Sequence, residues 1–329
     1  MHREGREVMF AAGELDELVA ALDIPVSELG LGGGGSRPTE LGSRGNGDDL
    51  ARRVAGALAA PAKRVRFHWT LADELAWRTV VAWRSPDTTV PAVALDTNGI
   101  LRVSEKSPGE LVDIALDVLV PEGVRNAELG IATTAAAAFV WLAVVEHLRM
   151  IGIGAFIDGR APIDLISRGA VRAQIDAAAG YDYRSLFSFA TGVMPVPFGL
   201  AITDDEIADG LQALTTHDLL EALDDTGAAG IYELSATGAW LADELLAEVA
   251  KVGIGESAYR SDGILGHESS LIVRTPFHLI LFAFSGADAV IASVAEDALD
   301  AVLSDPFASP TYPLPAGGRS SPPDDPISG

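Results

Sequence analysis

The chain has 329 residues, of which 48% are hydrophobic and 21% charged, so it has enough apolar material for a globular core and the length of about two domains. Lys plus Arg total 23 against 47 Asp plus Glu, a formal net charge of -24. A field of that sign repels phosphate backbones and anionic headgroups, which argues against nucleic acid and membrane partners. The absence of cysteine excludes disulfides, thiol catalysis and cysteine-ligated metal sites.

In the N-terminal sequence, acidic residues occur before any apolar run of signal-peptide length. This pattern predicts a cytoplasmic protein. The longest apolar stretch, 131–145, is shorter than the ~20 residues of a membrane span and predicts a buried helix.

In chain order, the first predicted elements are helices separated by a loop. Residues 14–22 form an amphipathic helical pattern, and the glycine-rich segment 30–49 predicts a flexible loop. A second helix follows, in which Leu50, Val54 and Leu58 recur at four-residue spacing.

The periodicity then changes to that of strands. In 64–71, apolar residues alternate with Arg66, His68 and Thr70, which predicts a strand with one buried and one wet face. Further strands are predicted at 75–84 and 89–95, and Asn98-Gly99 predicts a tight hairpin before a strand at 100–104. These strands form an antiparallel meander.

Two helices are predicted after the meander. Ser107-Pro108-Gly109-Glu110 has the spacing of a capping box and begins a helix with an apolar face. Residues 128–150 form a long helical pattern, whereas 151–198 give no clear assignment.

The C-terminal third repeats this order. Helical patterns at 217–223 and 238–251 precede strands at 269–274, 278–284 and 289–293, and Ser293 to Glu296 again has the capping-box form before a helix. Residues 308–329 are rich in Pro, Gly and Ser and predict a disordered tail.

Part of the meander occurs twice. Residues 81–104 match 271–294 with one constant offset and no gap, so that Arg84-Ser85-Pro86 corresponds to Arg274-Thr275-Pro276 and Ile100-Leu101 to Val290-Ile291. We therefore predict an α+β fold with two pseudo-symmetric halves, each an antiparallel β-meander with flanking helices. The predicted divisions are 1–125, a connecting region 126–200, 201–307 and the tail 308–329.

The residues that carry chemistry form no recognisable site. Gly32 to Gly35 lack the Lys-Ser/Thr of a phosphate loop, and His267-Glu268 lacks the second histidine of a zinc protease. We interpret His147 as structural, Asp204-Asp205-Glu206 as helix capping, Asp224-Asp225 as a solvated turn, and Trp69, Trp77 and Trp83 as core residues. The sequence thus assigns no catalytic residue, cofactor-binding residue or metal ligand, predicts no cofactor, and identifies no partner-binding residue.

The repeated order of short helices, a meander such as VVAWRSPDTTVPAVALDTNGILRVS and the helix SPGELVDIALDVLVP resembles the EspG family of cytosolic chaperones of actinobacterial type VII (ESX) secretion. The resemblance covers about 50–121 and 211–306 and rests on pattern, without an invariant motif. It implies two pseudo-symmetric halves and a non-enzymatic protein that holds a secreted helical PE-PPE-like substrate.

Two other functions stay open from the residues alone. An enzyme or small-ligand sensor would have a pocket between the halves, with Arg84 and Arg274 facing an anionic ligand. A transcription regulator would use residues 231–238, which resemble the wing and following helix of a winged-helix domain, although the local acidity argues against DNA contact. Homo-oligomers are compatible with each of these functions.

Overall fold

The computed structural model describes thirteen stretches of the chain, and all structural statements refer to them. They are residues 7–11, 63–71, 78–84, 92–97, 100–105, 108–120, 122–161, 165–178, 185–193, 202–223, 230–259, 261 and 265–308. The predicted helices at 14–22 and around Leu50, the loop 30–49, and the tail beyond residue 308 lie outside them.

A ten-stranded antiparallel sheet organises the fold, in the order β1-β5-β4-β3-β2-β10-β11-β12-β13-β6. Its first five strands in the chain are β1 (Glu7–Ala11), β2 (Lys63–Leu71), β3 (Arg78–Arg84), β4 (Ala92–Thr97) and β5 (Ile100–Glu105). The other five are β6 (Gly130–Thr134), β10 (Ala250–Tyr259), β11 (Leu265–Arg274), β12 (Leu279–Ser285) and β13 (Asp288–Ser293). The predicted meanders are both present, and Thr97 pairs with Ile100, which leaves the two residues expected for the β4–β5 hairpin.

The strand order is the same when followed outward from the centre in either direction. The neighbouring strands β2 and β10 each begin a four-stranded meander, and the outermost strand on each side, β1 or β6, precedes its meander in the chain. The fold class is α+β, as predicted, while the rotation that would relate the two halves and the boundaries at 125, 200 and 307 stay predictions.

The gapless alignment of the two meanders is wrong beyond β3. Val81 pairs with Ala94, and its counterpart Leu271 pairs with Phe282, whereas the constant offset would match Ala94 to Phe284. The connection between the first two strands of the match is therefore two residues shorter in the second meander. A shift of two residues keeps each side chain on its face of the sheet.

Helices cover both faces of the sheet. They are α1 (Pro108–Leu119), α2 (Ala135–Asp158), α3 (Arg168–Ala177), α4 (Leu186–Val193), α5 (Asp204–Thr216), α6 (Ala236–Leu246) and α7 (Glu296–Ala308). One apolar core lies between the sheet and the helices α1 and α7, around Phe67, Ile254 and Leu299. A larger core, around Trp141 and Phe282, lies on the other face with α2 to α6.

The prediction that one face of β2 is exposed to solvent is wrong, because this second helical layer covers that face. His68 and Thr70 are 5% and 4% exposed, as deeply buried as their apolar neighbours. The ring of His68 packs edge-on against Phe189 of α4, at 6.5 Å between centroids, and Arg66 donates to the carbonyl of Gly192. Burial lowers the pKa of His68 to about 3, so this histidine is neutral in the folded protein.

A three-stranded sheet, in the order β7-β9-β8, lies among the helices of the second layer. Its strands are β7 (Ile166–Ser167), β8 (Leu220–Ala222) and β9 (Ile231–Leu234). The helix predicted at 217–223 is wrong, because this segment is a turn followed by β8. Strand β9 is followed by α6, whose N-cap is Ser235.

Two other helix predictions have wrong bounds. The long helix begins at Ala135, with Thr134 as N-cap, and residues 130–134 form β6 at the edge of the sheet. The helix predicted at 238–251 ends at Leu246, and β10 begins at Ala250. The predicted capping role of Ser293 is also wrong, since Ser293 ends β13 and its hydroxyl accepts from the backbone N–H of Ala127.

Candidate protein-binding surface

Helix α2 passes through the core and then projects out of it. Its residues 137–145 are at most 4% exposed, because the sheet and the other helices of that layer surround them. The last two turns carry Met150, Ile153, Phe156 and Ile157, which are 54%, 49%, 88% and 76% exposed. We call these four residues the α2 end. In the described residues α2 alone is long and apolar enough to cross a membrane, with a mean hydropathy of 1.6, but its first half is the core helix of the fold.

The α2 end is a regular helix with a closed terminus. Gly159 adopts the left-handed conformation, with φ of 64°, and its N–H donates to the carbonyl of Phe156. The N–H of Arg160 donates to the carbonyl of Ala155 at 2.9 Å. This is the Schellman motif, which satisfies the last carbonyls of a helix. The apolar side chains are therefore presented on a helix that is terminated by its own sequence.

A buried charged cluster anchors α2 where it leaves the core. Glu146 Oε1 accepts from the backbone N–H of Leu186 at 2.7 Å, at the start of α4. Arg149 Nη1 lies 3.7 Å from Glu248 Oε1, and Lys251 Nζ lies 2.7 Å from the same oxygen. Burial raises the pKa of Glu146, against the opposing charge of Arg149, and burial lowers the pKa of Lys251, against the charge of Glu248.

The same contacts place further apolar side chains beside α2. Nε2 of His147 lies 3.2 Å from the carbonyl oxygen of Leu165, whose side chain is 47% exposed. The ion pair between Arg149 and Glu248 brings the connection between α6 and β10 to the opposite side, where Val249 is 45% exposed. Two half-exposed apolar side chains, Leu165 and Val249, thus lie near the base of the α2 end.

A cavity of about 350 Å³ lies elsewhere, between α7 and the second meander. Its lining includes the carboxylates of Glu256, Glu268 and Asp305. Burial raises the pKa of Glu256. The ammonium group of Lys63, whose Nζ lies 2.8 Å from Glu256 Oε1, reduces this rise but does not cancel it. Within the described ranges no three or more His, Asp or Glu side chains are placed to hold a metal ion.

Arg84 and Arg274 cannot share one ligand. Arg84 pairs with Lys63, which pairs with Ala258 of β10, whereas Arg274 pairs with Ala250 at the other end of β10. Eight residues of strand separate these positions by about 26 Å. The antiparallel arrangement of the two meanders places equivalent residues at opposite ends of the sheet, so the pocket predicted between these arginines is wrong.

The remaining singled-out residues have structural contacts. Glu206 and the N-cap Thr203 form the capping box of α5, as predicted for that acidic cluster. His267 lies in β11 with Nδ1 2.9 Å from Ser257 Oγ, and Trp69 lies in the core at 9% exposure. The segments with Gly32 to Gly35, Trp77 and Asp224-Asp225, and the side chain of Trp83, lie outside the described residues. Nothing in the sequence marked the α2 end, because its apolar residues resemble those of the buried half.

No protein-family model matches the chain, and no curated protein matches it. Among solved structures, the chain is similar to the Mycobacterium tuberculosis type VII secretion system chaperone EspG5, determined in complex with a PE25–PPE41 dimer. The identity is 13% and the TM-score 0.44, over 94% of this chain and 98% of the other.

Proposed function

We propose that this protein is a non-enzymatic, cytosolic chaperone that binds an apolar helical segment of a secreted protein, of the PE-PPE kind, and keeps that protein soluble. The α2 end is the observation that carries the proposal. Phe156 and Ile157 are large apolar side chains with 88% and 76% of their surface in water, on the same helix end as Met150 and Ile153. A contiguous exposed apolar group of this kind is typical of a protein-binding surface.

Burial of the exposed apolar side chains of this surface would supply a substantial part of the binding energy of a complex, and further contacts with the partner would supply the rest. Fully burying a large apolar side chain contributes about 1.5–3 kcal/mol, so Phe156 and Ile157 together would contribute about 3–6 kcal/mol. Met150, Ile153 and the neighbouring Leu165 would add to this. Micromolar affinity requires about 8 kcal/mol after the costs of association.

The shape of the α2 end favours a helical partner. Gly152 and Gly154 lie in its exposed turns, and a methyl group added at either position would meet nothing within 4 Å. Glycine in a helix costs about 1 kcal/mol relative to alanine, and no contact within the fold requires either residue. Without a side chain at these positions, the backbone of a partner helix could approach α2 closely.

The test is co-expression with a PE-PPE-like pair encoded near this gene. We expect a complex with the wild-type chain, and loss of the complex for Phe156→Asp with Ile157→Asp. The control is Val290→Asp in β13, which is also exposed, at 41%, but lies on the sheet. The proposal fails if the double variant still forms the complex, or if the control variant loses it equally.

The alternative is an enzyme or small-ligand sensor with a pocket between the halves. It depended on Arg84 and Arg274 facing one ligand, and these residues lie at opposite ends of the sheet. The DNA-binding alternative is also disfavoured, because Glu233, within the wing-like segment 231–238, is exposed and repels phosphate.

A further inference from the structure

The β11–β12 hairpin presents an aromatic side chain to solvent. Its turn is held by Thr275, whose N–H donates to the carbonyl of His278 at 3.0 Å and whose hydroxyl accepts from the N–H of His278 at 2.9 Å. Phe277 lies at the tip and is 55% exposed. This turn is the Arg-Thr-Pro motif of the sequence repeat. In the first meander, the corresponding Arg84-Ser85-Pro86 is followed by Asp87 instead of a phenylalanine.

Arg125 packs against Phe277, and Arg274, at the start of the same turn, contacts a valine with a strained backbone. The guanidinium carbon of Arg125 lies 5.8 Å from the centre of the Phe277 ring, and the backbone N–H of Arg125 donates to the Phe277 carbonyl at 2.7 Å. Arg274 Nε donates to the carbonyl of Val120 at 3.3 Å. Val120 is 53% exposed, and its φ of 40° is rare for a β-branched residue. We call Val120, Arg125, Arg274 and Phe277 the hairpin patch.

Among the residues that the structure describes, neither arginine of the hairpin patch has an acidic partner. Across the described residues, no carboxylate lies within 4.0 Å of the guanidinium of Arg125 or Arg274, although the chain has 47 acidic residues against 23 basic ones. Glu244, the carboxylate beside this hairpin, accepts from the Thr275 hydroxyl and lies 3.0 Å from His278 Nδ1. Within the described part of this acidic protein, Arg125 and Arg274 therefore carry positive charge that no carboxylate neutralises, and they lie next to exposed apolar side chains.

We infer that the hairpin patch is a second docking site, and that its occupant is a partner segment in which an apolar side chain lies next to a carboxylate. The apolar side chain would pack on Phe277 and Val120, and the carboxylate would accept hydrogen bonds from Arg125 and Arg274. The charge complementarity selects this partner, because the rest of the molecule repels acidic segments. The inference does not depend on what the α2 end binds.

The test uses two synthetic 16-residue helical peptides as probes. They share one leucine face and differ only in carrying either Glu or Lys beside it, and their affinities are measured by fluorescence anisotropy. The net charge of -24 favours the Lys peptide at long range. We expect the Glu peptide to bind about threefold or more tightly, the effect of an exposed ion pair. Equal or tighter binding of the Lys peptide would overturn the inference.

Variants separate the hairpin patch from other surfaces. Arg125→Glu should reverse the order of the two peptides, and Phe277→Ala should weaken the Glu peptide about tenfold. Val290→Asp, on β13 and outside both surfaces, should leave both affinities unchanged. A preference for the Glu peptide that persists in Phe156→Ala keeps failure here distinct from failure of the proposed chaperone function. Unchanged preference in Arg125→Glu would overturn the inference. So would a dimer of the wild-type chain that Arg125→Glu dissociates, since the occupant would then be a second copy.

Discussion

Lys63 and Glu256 form a buried ion pair on the two central strands of the sheet. Lys63 Nζ lies 2.8 Å from Glu256 Oε1 and also donates to the carbonyl of Pro306 at 2.7 Å. The lysine side chain is 1% exposed. The pair joins β2 to β10, and through Pro306 it joins both strands to the C-terminal turn of α7.

Replacing Lys63 by methionine should lower the free energy of unfolding by about 3 kcal/mol, because Glu256 would keep a buried charge without its partner. Urea unfolding measures the loss. The double variant Lys63→Met with Glu256→Leu should recover most of it, since no charge is then buried. A single variant as stable as wild type would contradict this role of the pair.

Glu146→Gln should change the pH dependence of stability. Burial raises the pKa of Glu146 in the folded protein, so above its ordinary value of 4.5 the folded state binds more protons than the unfolded state at this site. Wild-type stability from this group therefore falls as pH rises. Glutamine has no such cost, and its amide oxygen can still accept from Leu186. Urea unfolding at pH 5 and pH 8 should show the variant gaining relative to wild type at pH 8; a gain at pH 5 instead would contradict the assignment.

Two glycines in helices should respond oppositely to alanine. A Cβ at Gly238 of α6 would lie 1.9 Å from the carbonyl oxygen of Leu219, so Gly238→Ala should cost about 2 kcal/mol or more. Gly154 of α2 has open space, and Gly154→Ala should add up to about 1 kcal/mol. Thermal unfolding of both variants provides the comparison. Similar effects of the two changes would show that the approach of α6 to Leu219 is wrong.

Val120→Gly should stabilise the protein by about 1 kcal/mol, because glycine adopts positive φ without the steric cost that a β-branched residue has. Val120→Ala keeps that cost and serves as the control. Both are compared with wild type by urea unfolding. If the glycine variant were less stable than wild type, the packing of the valine would outweigh its backbone strain.

Alternation and turn residues predicted most of the sheet. The strands β2, β11, β12 and β13 have clear runs of apolar and β-branched residues, and Asn98-Gly99 predicted a hairpin. Strand β10 was missed because it is buried on both faces and contains Gly253 and Gly255, so it shows no alternation. The alanine-rich sequence after Gly130 hid the boundary between β6 and α2, which the Thr134 cap marks in the structure.

The binding surfaces could not be predicted from periodicity. Residues 137–145 and the α2 end are equally apolar, and only the arrangement of the surrounding helices leaves one in the core and the other in water. The hairpin patch joins residues of the connection after α1 to residues at the β11–β12 turn, which lie about 150 positions further along the chain. The repeated Arg-Ser/Thr-Pro motif was the available signal, and it marked a turn rather than a ligand site.

The most direct measurement of the chaperone proposal is the mass, by light scattering after gel filtration, of the chain purified with its PE-PPE-like pair. We predict a mass above that of the chain purified by itself, which has 34.3 kDa per subunit, for wild type and Val290→Asp, and a mass equal to it for Phe156→Asp with Ile157→Asp. A heavier complex in the double variant would contradict binding through the α2 end, and an unchanged mass of the wild-type chain with every such pair would contradict the chaperone function itself.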